Sequence, residues 1–296
     1  MLQCRLQLPS WWHPAPFLAF HGRDVTSCSE KTSAHALQKA LILDDSPLLL
    51  TFTFETGEVI VSMEGDDHLG TAWLGSLASR MLGLCQEAEI FHAQYIGHPE
   101  IGRLLQQHPP LYLPQTATPF EAISWAITGQ QISLAAATTL RRRLISACNL
   151  QGPQGFLCYP DATALIDLGH EALRKSGFSE SKASALLAVS HLFAENRPAK
   201  DPFIHGDAQA ITTQLQTIRG IGPWTVNYAM LRGCGNMDVS LHLDNGVQRG
   251  LQNLLSFAGL PNTSYTRQWL AQFSPRRGLV AAYLWALPAY LHYNHE

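Results

Sequence analysis

Apolar positions change rhythm along the chain. In the first ninety residues they alternate with polar ones or gather in short β-rich blocks. Gln3 to Leu8 alternates, and Leu48 to Phe54 and Glu58 to Met63 flank Thr56-Gly57, a two-residue hairpin signal. Leu69, Trp73, Leu77, Met81 and Leu84 then recur at helical spacing. Together they predict a small antiparallel sheet with one or two helices. The aromatic stretch Trp11 to Leu18 reads as a core plug or an aromatic turn.

From Glu89 onward the rhythm is helical, broken at His98-Pro99 and Pro109-Pro110. Thr118-Pro119-Phe120-Glu121 is a strong helix start: a capping threonine, a proline at the first helical position and a glutamate three residues after the cap. This helix meets Gly129-Gln130-Gln131, and a second, starting at Ser133, carries Arg141-Arg142-Arg143, a pattern more often a solvated face than a phosphate clamp. Short helices follow over Asp161 to Phe193, with a capped start at Ser179. Asn196 to Pro202 reads as a loop, and Asp207 as the cap of the next helix. The last helix is expected to open at Pro275 and to be interrupted at Pro288. The fold class is α+β: an N-terminal α+β domain over residues 1–90 and a mainly helical body over 91–296.

One stretch carries candidate chemistry, Leu215 to Gly250. Ile218-Arg219-Gly220-Ile221-Gly222-Pro223 predicts a tight turn, since both glycines tolerate positive φ, followed by a helix that begins at the proline. Such a helix–hairpin–helix unit exposes backbone N–H groups and a helix N-terminus, a site that fits a nucleic-acid phosphate. Trp224 and Tyr228, four apart, share a face of the second helix. Asp244 follows a largely apolar segment and precedes another helix, where an aspartate is usually an N-cap. Asp238 reads as structural.

Composition narrows the classes. At 296 residues and 46% hydrophobic the chain can bury a real core in one to three domains. No apolar run approaches a membrane span and no signal pattern opens the chain, so a cytoplasmic protein, nucleoid-associated if it binds DNA, is expected. The six cysteines include no C-x-x-C pair, and free thiols are expected rather than zinc or an iron–sulfur cluster. The net charge of −3 argues mildly against nucleic acid. The basic residues Lys175, Lys182, Arg219, Arg232, Arg249, Arg276, Arg277 and the Arg141–Arg143 cluster nevertheless lie in the last two thirds, which would put a nucleic-acid face there.

The segment resembles the helix-hairpin-helix DNA glycosylases, and within them the bacterial 3-methyladenine enzymes that remove alkylated bases. The residues that carry the resemblance are Gly220-Ile221-Gly222-Pro223-Trp224 and, about twenty residues on, Asp244. It is specific from about Thr118 to Gly250 and weak before residue 90. It implies that Asp244 is the catalytic carboxylate, that Trp224, Tyr228, Trp285 and Phe17 line the base pocket, and that Gly220, Gly222, Arg219 and the wedge residue Gln131 engage DNA. It also implies a monovalent cation on the carbonyls of Gln216, Ile218 and Gly220, with no other cofactor. Trp224 stands where relatives with lyase activity keep a lysine, so hydrolysis without lyase chemistry is expected. The partner implied is double-stranded DNA containing alkylated bases, bound by a monomer. Two alternatives stay open: a non-catalytic helix-hairpin-helix DNA-binding module, which needs neither Asp244 nor an aromatic cleft, and a glycosylase for oxidised or mismatched bases.

Overall fold

The computed structural model of the chain describes residues 1–65, 68–195 and 208–293. Five strands form one antiparallel sheet in the order β1-β5-β4-β3-β2: β1 (Leu2–Gln7), β2 (Glu30–Thr32), β3 (Ala36–Leu43), β4 (Ser46–Glu55) and β5 (Glu58–Glu64). β4 and β5 close around Thr56-Gly57, with Gly57 at φ 77°, as the hairpin signal requires. Leu50, Phe52, Val59, Val61 and Met63 bury the inner face beneath α1 (Pro14–His21) and α2 (Thr71–Met81). The aromatic stretch near the N-terminus is therefore half helix. His13 caps it through Nδ1, and Pro14 opens it.

β3 has no counterpart in the expected elements, and the reason is Lys39. A lysine in the middle of Ala36–Leu43 hides the alternation, because it points inward and is fully buried. There Nζ donates to Glu30 and, at 2.6 Å, to Glu121; the Arg141 guanidinium lies 3.0 Å from Glu30 and 3.3 Å from Glu121. Arg141 also stacks over the Tyr159 ring at 4.7 Å. The expectation of a solvated arginine face thus fails at Arg141: it belongs to a buried, charge-balanced cluster of two cations and two carboxylates. Burial alone would raise both carboxyls, but Arg141 and Lys39 hold Glu30 well below the usual carboxylate range, and Lys39 with Arg141 holds Glu121 below it.

The remaining helices are α3 (Ala88–Tyr95), α4 (Gly102–Gln107), α5 (Pro119–Gly129), α6 (Leu134–Cys148), α7 (Ala162–Lys175), α8 (Glu180–Glu195), α9 (Ala208–Gln216), α10 (Pro223–Cys234), α11 (Asn245–Leu254), α12 (Thr263–Ala271) and α13 (Arg277–Tyr293). Thr118 caps α5 by accepting the Glu121 N–H at 3.1 Å, and Ser133 caps α6 through the Ala136 N–H. The Glu121 side chain does not reach back to Thr118. It accepts the Ala117 N–H and turns its other oxygen to the buried cations. α13 begins at Arg277 and runs past Pro288 instead of stopping there; a proline removes one ladder hydrogen bond without ending the helix. The loop and cap expected at Asn196–Pro202 and Asp207 lie outside the described residues. The core of the helical body joins α5, α8, α10, α11 and α13. The sheet is tied to it by more than the charge cluster: Ala117, Ile145 and Tyr159 complete the sheet's apolar core, and Tyr159 bonds through its backbone to Ala40 and Ile42.

Candidate active site

The hairpin between α9 and α10 forms as its residues dictate. Ile218 N–H bonds Leu215 O, Ile221 N–H bonds Ile218 O, and Ile218 and Ile221 plug the joint against the core. Only one of the two glycines needs its freedom. Gly220 sits at φ 93°, whereas Gly222 is extended (φ −92°, ψ 172°) because it is the N-cap of α10. No atom lies within 4 Å of where a Cβ on Gly222 would sit, so the backbone there is open to close approach. Arg219 is exposed at the tip.

The turn between α5 and α6 stands beside it. Gln131 is exposed and takes the left-handed conformation, φ 56°, which thrusts it from the apex. Gln130, assigned no role from the motifs, braces the hairpin: its Nε2 donates at 2.9 Å to both Gly220 O and Thr225 Oγ1. Lys182, at the start of α8, donates at 2.8 Å to Thr128 O in the last turn of α5. Ile218 O accepts from Ile221 N–H at 3.0 Å, so this carbonyl and Gly220 O each carry one hydrogen bond. A carbonyl oxygen has two lone pairs, so these two could each also meet a cation of the kind expected there.

Asp244 caps α11, accepting the Val247 N–H at 2.9 Å on Oδ1. The capping role and a second role coexist. The same Oδ1 accepts the Trp285 indole N–H at 2.9 Å, and Oδ2 accepts the Trp224 indole N–H at 2.8 Å. Tyr228 joins them, with ring centroids 5.5 Å from Trp224 and 6.3 Å from Trp285. Three N–H donors from three helices thus fix a half-buried carboxylate against an aromatic wall. Gly246 makes the arrangement feasible, since a Cβ there would lie 2.9 Å from Trp285 Cδ1 and 3.0 Å from Asp244 Oδ1. Four residues on, a Cβ at Gly250 would lie 2.3 Å from Leu284 O, so both glycines let α11 and α13 touch.

The segment leading to Asp244 is braced from below. Arg267 donates to His242 Nε2 at 2.9 Å, which leaves Nδ1 as the protonated nitrogen, facing Ser240 Oγ at 3.0 Å. Burial, and then the Arg267 charge, pushes the His242 pKa down. Asp238 is structural as expected, gripped by Arg277 at 2.7 Å and Ser274 at 3.0 Å.

Phe17 does not join the site. It is 1% exposed, inside the sheet core against Phe52 and Phe54 at 5.3 and 5.7 Å. One turn on, Phe20 lies 4.5 Å under the Arg232 guanidinium, which in turn lies 5.2 Å from the Trp285 ring. Arg23 covers Phe20 and Trp125 at 4.3 and 4.7 Å, so cations and aromatic rings alternate from α5 to α13. The spacing of Trp224, Tyr228 and Arg232, each four residues apart on α10, was the signal for Arg232. The expected basic face is correspondingly thinner. Arg141 is buried, Arg142 chelates Asp24, Arg276 pairs with Glu87 and Arg277 with Asp238.

The chain is 30% identical over 188 residues to DNA-3-methyladenine glycosylase 2 of Escherichia coli, a match that covers 62% of this chain and 63% of that protein, somewhat under two thirds of its length. In fold it superposes on a 3-methyladenine DNA-glycosylase from Archaeoglobus fulgidus with a TM-score of 0.82, covering 97% of this chain and 99% of the other at 19% identity. A 3-methyladenine DNA glycosylase from Schizosaccharomyces pombe in complex with abasic DNA gives a TM-score of 0.57 at 24% identity, over 67% of this chain and 95% of that one. The family model described as HhH-GPD superfamily base excision DNA repair protein matches residues 124–276, just over half of the chain, and the chain belongs to that superfamily.

Proposed function

We propose that the chain is a monofunctional DNA glycosylase that extrudes alkylated bases of the 3-methyladenine and 7-methylguanine type from duplex DNA and releases them by hydrolysis. The observation that carries this is the fixed carboxylate of Asp244, held by Trp224 and Trp285 beside a glycine hairpin. The names of the E. coli relative and the structural neighbours support the substrate class.

The chemistry follows from the parts. The hairpin amides and the α10 N-terminus grip a phosphate and set register without reading sequence. Gln131 fills the gap left by the extruded nucleotide, whose unstacking costs a few kcal/mol. As the C1′–N bond breaks, the base leaves with the electron pair and the sugar gains oxocarbenium character. Asp244 Oδ2 holds one indole donor and keeps a lone pair for that positive charge. Water adds at C1′ and gives up a proton, leaving an abasic site. Trp224 offers no amine for a Schiff base, so no lyase step follows. The enzyme works as a monomer on double-stranded DNA with no cofactor beyond a monovalent cation at the hairpin, and without an iron–sulfur cluster.

The test is single-turnover base release from methylated duplex DNA. Asp244→Asn should slow release by about 10²–10³-fold or more while abasic-site binding persists, and borohydride should trap no covalent adduct. Release at the wild-type rate would show that Asp244 is only a helix cap. A wild type that binds duplex but releases no base would leave a binding module.

A further inference from the structure

Arg232 is an unusual neighbour for a carboxylate site meant for cationic bases. It projects from the last turn of α10, two turns beyond Trp224. Among the described residues no carboxylate pairs with it. Its Nη1 donates to Pro114 O at 2.6 Å, and the flat guanidinium is covered by Phe20 and Trp285 at 4.5 and 5.2 Å. Its Nε is buried without any acceptor. Burial, helped by the Arg23 charge, draws its pKa down to about 10, against the raising influence of Tyr228, through its charge and a side-chain hydrogen bond, and of Asp244. Among the described residues one donor, Nε, is thus left unsatisfied on a cation that no carboxylate pairs directly, in the wall behind the aromatic site.

Charge accounting at the leaving base gives this a purpose. When C1′–N breaks, both bonding electrons go to the base nitrogen. A base that begins as a cation, alkylated on a ring nitrogen, leaves neutral. A base that begins neutral leaves as an anion and must later take a proton from water. A fixed guanidinium repels the first kind in the ground state, and Trp285, already facing a cation, has less to offer it. The same guanidinium stabilises the negative charge that grows only as the second kind departs.

We propose that Arg232 is a specificity-determining residue that equips the site to release neutral bases, those leaving as anions with a carbonyl or ring-nitrogen acceptor, at the expense of cationic ones. The inference rests on the glycosylase reading above. The test compares single-turnover release of hypoxanthine, which is neutral, and 7-methylguanine, which is cationic, from otherwise identical duplexes by wild type, Arg232→Gln and Arg232→Lys.

The ratio of the two rates, neutral over cationic, cancels any loss of active protein. It should fall at least about tenfold in Arg232→Gln, the size of effect one oriented charge has on a developing charge, and recover in part in Arg232→Lys. Rates that fall together, or an unmoved ratio, would overturn the proposal and leave Arg232 a packing residue. A wild type that releases neither base would sink the glycosylase reading and this inference with it. Release of both with an unchanged ratio would sink this inference alone.

Discussion

Asp244 shows how one residue can satisfy two readings of the same sequence. An aspartate ahead of a helix is ordinarily a cap, and here it is one, through Oδ1 and Val247. The two indole donors on the same carboxylate raise it above a cap, and they come from residues 20 positions before it and 41 after it. Trp224 was legible from its place in the hairpin motif, and Trp285 from the family likeness. Gly246 was not, because its importance lies in a distance to α13 that no local pattern encodes. It makes a sharp prediction. Gly246→Ala adds a methyl against Trp285 and Asp244, whose positions must then shift. Overpacking costs about 1–3 kcal/mol, and the gain in helix propensity returns about 1 kcal/mol, so the melting temperature should move little. Base release should nevertheless drop by about tenfold, since displacements well under an ångström matter at a reacting centre. A wild-type rate in single turnover would show that the Asp244–Trp285 contact is not needed. The same reach limits the reading of α1: Phe17 and Phe20 are equally aromatic, and only the packed sheet decides that Phe17 fills the core while Phe20 meets Arg232.

Elements whose local chemistry agrees with their place in the fold were readable. α5 has its threonine cap and first-turn proline, β4 and β5 their Thr56-Gly57 turn, and the hairpin its glycines. β3 and the relation between the α5–α6 turn and the hairpin were not. An inward lysine masks the first, and the second depends on a side chain, Gln130, ninety residues from its acceptor on Gly220. Gln130 holds in register the two elements that the proposed function sets on one DNA strand. Gln130→Ala removes two hydrogen bonds, each worth about 0.5–1.5 kcal/mol, from contacts outside the core. Its affinity for abasic-site duplex should weaken several-fold, measured by fluorescence titration, with little change in thermal stability. Unchanged affinity would mean the hairpin is rigid without the brace.

At the scale of the molecule, the seam between sheet and helices is electrostatic as well as apolar, and this sets its response to acid. The folded-state pKa values of His21 and His242 lie below their ordinary 6.5, so the unfolded chain takes up protons there first and stability falls as pH drops through that value. Glu30 and Glu121 lie below their ordinary 4.5; the stability they contribute is present above it and is lost as pH falls further. Melting temperature followed from pH 8 to 4 should therefore decline in two stages, one beginning near 6.5 and one below 4.5. A flat profile down to pH 5 would contradict the burial of both histidines. The net charge of −3 gave no hint of this seam, because a balanced cluster leaves no trace in a sum.

The cluster has an evolutionary corollary. Glu30 and Lys39 belong to the sheet, while Glu121 and Arg141 belong to α5 and α6; each half is neutral by itself, and the Lys39–Glu121 and Arg141–Glu30 pairs tie one to the other. A lineage that sheds the sheet would leave Glu121 and Arg141 facing water as an ordinary surface ion pair, which contributes little and ties neither residue to its position. Positions 121 and 141 should therefore stay an acid and a base wherever the module is kept, and vary freely among polar residues wherever it is lost.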